Sequence, residues 1–196
     1  MLDNVSVMDW NDDLQCASGA VRGGKVILYP TDTVWGIGCD ATDSDAVRRV
    51  YAIKRRSDSK AMLLLVDSVD TVRRYFPGLT DVAERLLLDG ERPTTVILSG
   101  ATGIAGELMA ADGSVGVRVT RDRYSCELCR SAGVPLVSTS ANISGEPAAR
   151  YFDEISAEVK EAVDYICEAR RDDKNPGTPS RIVKLNPDNS ITVIRP

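Results

Sequence analysis

Between Arg48 and Lys60 the chain carries six cations, Arg48, Arg49, Lys54, Arg55, Arg56 and Lys60, and a single acid, Asp58. The protein as a whole is acidic, with 24 Lys and Arg against 29 Asp and Glu and a formal charge of -5. The basic burst is therefore a local feature and not part of a general affinity for polyanions. Two polar clusters accompany it: Thr31, Asp32 and Thr33 follow KVILYP, while Ser138, Thr139, Ser140 and Asn142 close VPLVSTSAN. Lys54 and Arg56, two apart, would share one side of an extended backbone with Arg55 on the other, a spacing suited to two cations converging on one anion. Lys, Arg, Ser, Thr and Asn together suit a phosphorylated ligand, and a polyphosphate satisfies three cations better than a carboxylate does. A helix C-terminus alone would also favour Lys54, and Ser, Thr and Asn are common at turns. It is the coincidence of a basic loop with both hydroxyl clusters that marks a site.

The available chemistry is narrowed most by an absence. The chain contains no histidine, which removes a Ser-His-Asp triad, a Cys-His pair, an HExxH zinc site and an imidazole general base. Without a base, the serines serve as hydrogen-bonding groups and not as nucleophiles. The five cysteines include one CxxC, Cys126 and Cys129, within a helical pattern; Cys16, Cys39 and Cys167 are not paired at short spacing. They read as reduced thiols, and no metal ligand is assigned. A GxxxxGK[ST] loop is missing. GIGCDA, from Gly36 to Ala41, matches the dinucleotide pattern GxGxxG/A, yet the helix after it starts too late, at about Thr42, to meet a pyrophosphate.

These clusters need elements to hold them. WNDDLQCASGAVR predicts a helix with acids in its first turn, ended by Gly23 and Gly24. TDSDAVRRVYAIK predicts another, opened by a Thr42-x-x-Asp45 capping box. VDTVRRYF, DVAERLLL and the CxxC segment complete the helices. KVILYP, AMLLLV, TTVILSG, VGVRVT and VPLVSTS predict strands, AMLLLV a central one, and RIVKL and SITVI flank NPDN as a hairpin. EARRDDKNPGTP predicts a mobile loop. The alternation gives an α/β fold with a largely buried mixed sheet, in one domain over residues 1–196. Ligands in open α/β sheets bind beyond the carboxyl ends of strands, which places the expected pocket there. No apolar run approaches the ~20 residues that span a bilayer, and MLDNVSVMDW lacks the features of a signal peptide, so no membrane and a cytoplasmic location are expected.

Four motifs, YPTDTVWGIGCDA, Lys54-Arg55-Arg56 with Lys60, VGVRV, and STSANISGEPAAR with its Ser140-Ala141-Asn142, resemble in order and spacing those of the YrdC/TsaC family of L-threonylcarbamoyladenylate synthases. The similarity runs from about Leu14 to the end, in the short form without the further C-terminal domain of longer relatives. It implies a twisted mixed sheet with flanking helices and a concave, positively charged cavity. It also implies a nucleotidyl transfer in which L-threonine, bicarbonate (or CO2) and ATP give threonylcarbamoyl-adenylate and pyrophosphate, with Mg2+ accompanying the ATP. The product would pass to a threonylcarbamoyl transferase complex that modifies the adenosine beside the anticodon of tRNA, with a weak tRNA contact and double-stranded RNA binding as associated properties.

By the family pattern, Thr31, Arg118 and Ser180 meet threonine, Arg118 through its carboxylate. Lys54, Arg56 and Lys60 meet the phosphates, with Lys54 and Arg56 the catalytic pair. Ser140 and Asn142 face the nucleotide, and Arg195 closes over it. Ser57 and Ala61 stand where the family often has proline, and Ala148 and Ala149 where longer relatives carry a hydroxyl. Two other readings use the same residues. An RNA-binding module is disfavoured by the negative total charge and the lack of aromatics between Lys54 and Lys60; a YciO-like paralogue would keep the fold with little synthase activity.

Overall fold

Backbone groups in apolar runs of two to six residues find their partners across strands, and nine such runs join one sheet. The computed structural model describes residues 10–55, 62–90, 92–174 and 177–196. The helices are α1 (Trp10–Arg22), α2 (Ser44–Ile53), α3 (Val69–Tyr75), α4 (Asp81–Leu88), α5 (Arg123–Ala132) and α6 (Ala157–Ala162). The strands are β1 (Ile27–Tyr29), β2 (Gly36–Gly38), β3 (Leu63–Val66), β4 (Thr94–Ser99), β5 (Ser114–Val119), β6 (Leu136–Ser140), β7 (Tyr165–Ile166), β8 (Arg181–Leu185) and β9 (Ile191–Arg195). They lie in the order β7-β1-β2-β6-β3-β5-β4-β8-β9, so β3 is central, as AMLLLV predicts. The sheet is twisted and mixed: β3 with β5, β4 with β8 and β1 with β7 are parallel, and the other pairs are antiparallel. No helix among the described residues is long and apolar enough to cross a membrane.

Side chains alternate across a strand, which gives the sheet two unlike faces. Leu64, Val66, Val96, Val115, Val117 and Val137 pack with Val47 and Val50 of α2, Val72 of α3, and Ala83 and Leu87 of α4. Residues of opposite parity, Ile27, Tyr29, Leu65 and Leu136, pack under α1 and α5 through Ala17, Val21 and Leu128. Of the CxxC thiols, Cys129 belongs to this layer and donates to the Leu65 carbonyl at 3.6 Å, while the half-buried Cys126 donates to that of Asp67 at 3.8 Å.

Several local expectations change. The capping box is not formed, because Asp40 Oδ1 takes the Thr42 N–H at 2.7 Å that Asp45 would have to reach. Asp43 caps α2 instead, its Oδ1 accepting from the N–H groups of Asp45 at 2.9 Å and Ala46 at 3.1 Å. GIG, which has no predicted element, is β2, bridging β1 and β6. A Cβ on Gly38 would lie 2.4 Å from the Val137 carbonyl oxygen and 2.6 Å from Tyr29 Cε1; the glycine serves close strand packing and not a phosphate turn. Gly38→Ala is expected to cost about 2–3 kcal/mol, seen as a lower urea midpoint at constant m value. An unchanged midpoint would show that the sheet yields at this contact. The predicted mobile loop is tethered at its start, where Arg170, at φ 60°, donates to the Thr31 carbonyl at 3.1 Å and pairs with Asp122 at 2.6 Å and Asp173 at 2.9 Å.

Candidate active site

Where α1 and α5 no longer cover the second face, a cavity of about 330 Å3 opens, and none of its lining residues belongs to a helix. Its floor is the sheet itself. Leu63 of β3 lies between Gly116 of β5 and Ser138 of β6, Ile97 of β4 neighbours Gly116, Gly36 of β2 neighbours Ser140, and Ile182 of β8 pairs with Thr95 on one side and Arg195 on the other. Gly116 keeps the floor deep, since a Cβ there would come 3.1 Å from Thr95 Cγ2. The expected pocket beyond the carboxyl ends of strands is thus displaced: antiparallel pairs leave this sheet no single carboxyl edge, and small residues in alternating positions hollow its face instead. Ser138 and Ser140 lie within β6 and not past its end.

Arg118 enters from β5 and is buried, with only 3% of its side chain exposed. Its Nη2 is 3.0 Å from Asp32 Oδ1 and donates to Thr33 Oγ1 at 3.3 Å. Burial raises the Asp32 carboxyl above its usual range, with Arg118 the main opposing influence. Apart from this ion pair, the Asp32 oxygens and Arg118 Nε have no well-aligned side-chain hydrogen bond among the described residues. Thr31 does not line this cavity. Its hydroxyl donates to the Val34 carbonyl at 2.8 Å and accepts the Thr33 N–H at 3.0 Å, so it builds the turn that presents Thr33. Thr33 lines the cavity; Asp32 backs Arg118.

On the opposite wall Arg195 donates through Nε to the Ser180 carbonyl at 2.9 Å and through Nη2 to Ser180 Oγ at 3.3 Å. Ser180 Oγ in turn shares a proton with Thr95 Oγ1 at 2.9 Å. Arg195 belongs to an exposed strand, yet partial desolvation of its guanidinium against the wall and the like charges of Arg118 and Arg92 hold it below its usual range. Among the described residues neither Arg195 nor Arg92 forms an ion pair, and none that lines the cavity carries a carboxylate. Arg118, Ser140, Ser180 and Arg195 are brought together in the lining of this cavity. Thr95 is the wall residue that sequence reasoning missed; a hydroxyl at an alternating position of an otherwise apolar strand was the only signal.

The cation burst is dispersed in space. Arg48 pairs with Asp45 and Glu107, Arg49 with Asp164, and Arg55 with Glu158, on the outer surface. Arg56, Ser57, Lys60 and Ala61 lie outside the described residues. Lys54 caps α2 at φ -77° and ψ -5°, and Arg55 follows at φ 48°, so the extended backbone expected to align Lys54 with Arg56 is not formed at its start. Lys54 is 2% exposed and is absent from the cavity lining. Its Nζ donates to the carbonyls of Ser140 at 2.5 Å and Asn142 at 2.8 Å, with Asn142 Oδ1 at 3.4 Å. Asn142 also lies behind the lining, its Nδ2 donating to the carbonyls of Ile143 at 3.0 Å and Glu146 at 2.6 Å. Ala148 lines the cavity without a hydroxyl.

Residues 19–196 match the Sua5/YciO/YrdC family, described as telomere recombination. A threonylcarbamoyl-AMP synthase of Methylococcus capsulatus is 41% identical over 143 residues, 70% of this chain and 74% of that protein. P. abyssi Sua5 superposes with a TM-score of 0.85 at 22% identity over 98% of this chain, which spans 58% of that one; a second structure of it, complexed with L-threonine, gives 0.78 at 23% identity over 88% of this chain and 50% of that one. E. coli YciO gives 0.80 at 26% identity, covering 95% of this chain and 89% of that one.

Proposed function

Since the chain belongs to the Sua5/YciO/YrdC family, we propose that it is an enzyme joining L-threonine, bicarbonate or CO2, and ATP into threonylcarbamoyl-AMP, a nucleotidyltransferase serving tRNA modification. One observation carries the reading most directly: among the described residues Arg118 and Arg195 line one hydroxyl-rich cavity with no carboxylate in its lining, and Arg195 has no acidic partner. Such a site awaits an anion. The threonine amine adds to CO2 and gives up a proton to water, leaving a carbamate; a carbamate oxygen then attacks the α-phosphorus of ATP as its bond to the bridging oxygen of the β-phosphate breaks and pyrophosphate leaves. None of these steps requires histidine. Rate enhancement comes from holding the reactants together and from fixed positive charge where negative charge develops.

In this reading Arg118, oriented by Asp32 and Thr33, receives the threonine carboxylate, with Thr31 acting through Thr33. Ser180 and Arg195 close the opposite wall, Ser140 faces the nucleotide, and Arg56 and Lys60 reach the phosphates. With hydroxyls and no carboxylate among the described lining residues, the donor set suits Mg2+ that arrives on the triphosphate, where it would offset phosphate charge. The product would pass in the cytoplasm to a threonylcarbamoyl transferase complex, with weak tRNA contact.

Incubation with ATP, Mg2+, bicarbonate and L-threonine is expected to release pyrophosphate at a rate that depends on threonine. If omitting threonine leaves the rate unchanged, the chain is the YciO-like paralogue. A salt-sensitive tRNA gel shift indifferent to ATP would favour the RNA-binding module.

A further inference from the structure

Lys54, the first residue of the Lys54-Arg55-Arg56 motif, is buried and holds a loop. Among the described residues, three oxygens of one short segment face the Lys54 ammonium: the Ser140 and Asn142 carbonyls at 2.5 and 2.8 Å and Asn142 Oδ1 at 3.4 Å. The Lys54 carbonyl also accepts the Ser144 N–H at 3.0 Å. Two of the three acceptors on Nζ are main-chain atoms, which dictate where the turn runs irrespective of its side chains. The ammonium also lies at the C-terminal end of α2, where carbonyl dipoles favour a cation. Asn142 carries the constraint onward through its bonds to Ile143 and Glu146, and Ser140 Oγ donates to Asn142 Oδ1. Of this group only Ser140 lines the cavity.

Building on the reaction proposed above, we propose that Lys54 is a positioning residue: its buried ammonium shapes the Ser140–Ser144 turn and thereby sets Ser140 in the cavity wall, without itself touching the phosphates. A cation that acts through a turn differs from one that binds phosphate in two measurable ways. The turn depends on it before any ligand is present, and its effect is not independent of Asn142.

The test uses the full chain. In the ligand-free protein, Lys54→Met should speed hydrogen exchange of the peptide spanning residues 140–146 at least tenfold, while the peptides of α1 and α5 exchange as before. The kcat/KM for threonine-dependent pyrophosphate release should fall about tenfold in Lys54→Met and in Asn142→Ala, and the double variant should be no worse than the worse single one. Lys54→Arg keeps the charge but cannot present three donors to the same acceptors; it should behave like Lys54→Met and replaces it if that variant does not fold. Unchanged exchange at 140–146, or losses that multiply in the double variant, would overturn the proposal in favour of direct phosphate contact. If the unaltered protein shows no threonine-dependent turnover, the reaction is wrong; the exchange result still decides the role of Lys54, and the coupling is then read from ATP affinity.

Discussion

Replacing Arg118 with alanine should abolish most threonine-dependent turnover, by about a thousandfold, and destabilise the protein by about 3–5 kcal/mol near neutral pH. The first effect follows from the role proposed for Arg118, a buried charge-assisted donor to the threonine carboxylate, the second from leaving Asp32 without its counter-ion at 3.0 Å. The stability loss should depend on pH in a defined direction. Burial already raises the Asp32 carboxyl, and Arg118 is the main influence holding it down, so the substitution raises it further. A carboxyl whose folded-state value lies above its unfolded value favours folding fully below the unfolded value, and that contribution is lost as pH rises through the folded one. The deficit of Arg118→Ala relative to the unaltered protein should therefore be deepest near neutrality and shrink toward about pH 5. Adding Asp32→Asn should restore stability without restoring turnover. Urea titrations at the two pH values check both points; a deficit that is the same at each would mean that Asp32 and Arg118 are not energetically coupled.

Arg195→Ala should raise the KM for ATP or threonine about thirtyfold, the worth of one charge-assisted contact of roughly 2 kcal/mol. Melting temperature should stay level or rise, because the guanidinium is opposed by Arg118 and Arg92 and is balanced by no carboxylate among the described residues. A cation kept near like charges is a cost to the empty protein that an anionic ligand relieves. Arg195→Lys should recover only part of the affinity, since a single ammonium cannot reproduce the two donors that meet Ser180 at 2.9 and 3.3 Å. Were Arg195→Ala to melt earlier with KM unchanged, the residue would be a clasp between β8 and β9 and nothing more.

Elements whose cause is local were legible in the chain. The apolar runs became strands, AMLLLV the central one, and the NPDN turn became the β8–β9 hairpin with Asn189 at φ 63°. Failures occurred where a partner distant in sequence intervened. The start of α2 shifted because Asp40 claimed the Thr42 N–H, and the GIG strand was invisible because two of its three residues carry no side chain to show a period.

The cavity divides the same way. Residue types alone determined that the chain supplies no imidazole, and VGVRVT was legible as a strand, whereas Arg118 stood out only through the family resemblance. Proximity along the chain misled for the cations, because successive residues at the end of a helix point in different directions: Arg48, Arg49 and Arg55 face outer carboxylates while Lys54 turns inward. Only the tertiary structure could decide that Thr33 and not Thr31 faces the cavity, that Asp32 stands behind Arg118, and that Lys54 meets residues 86 and 88 positions away. A side chain's type fixes which bonds it can make, whereas the sheet's strand order and register select the partners that come within reach.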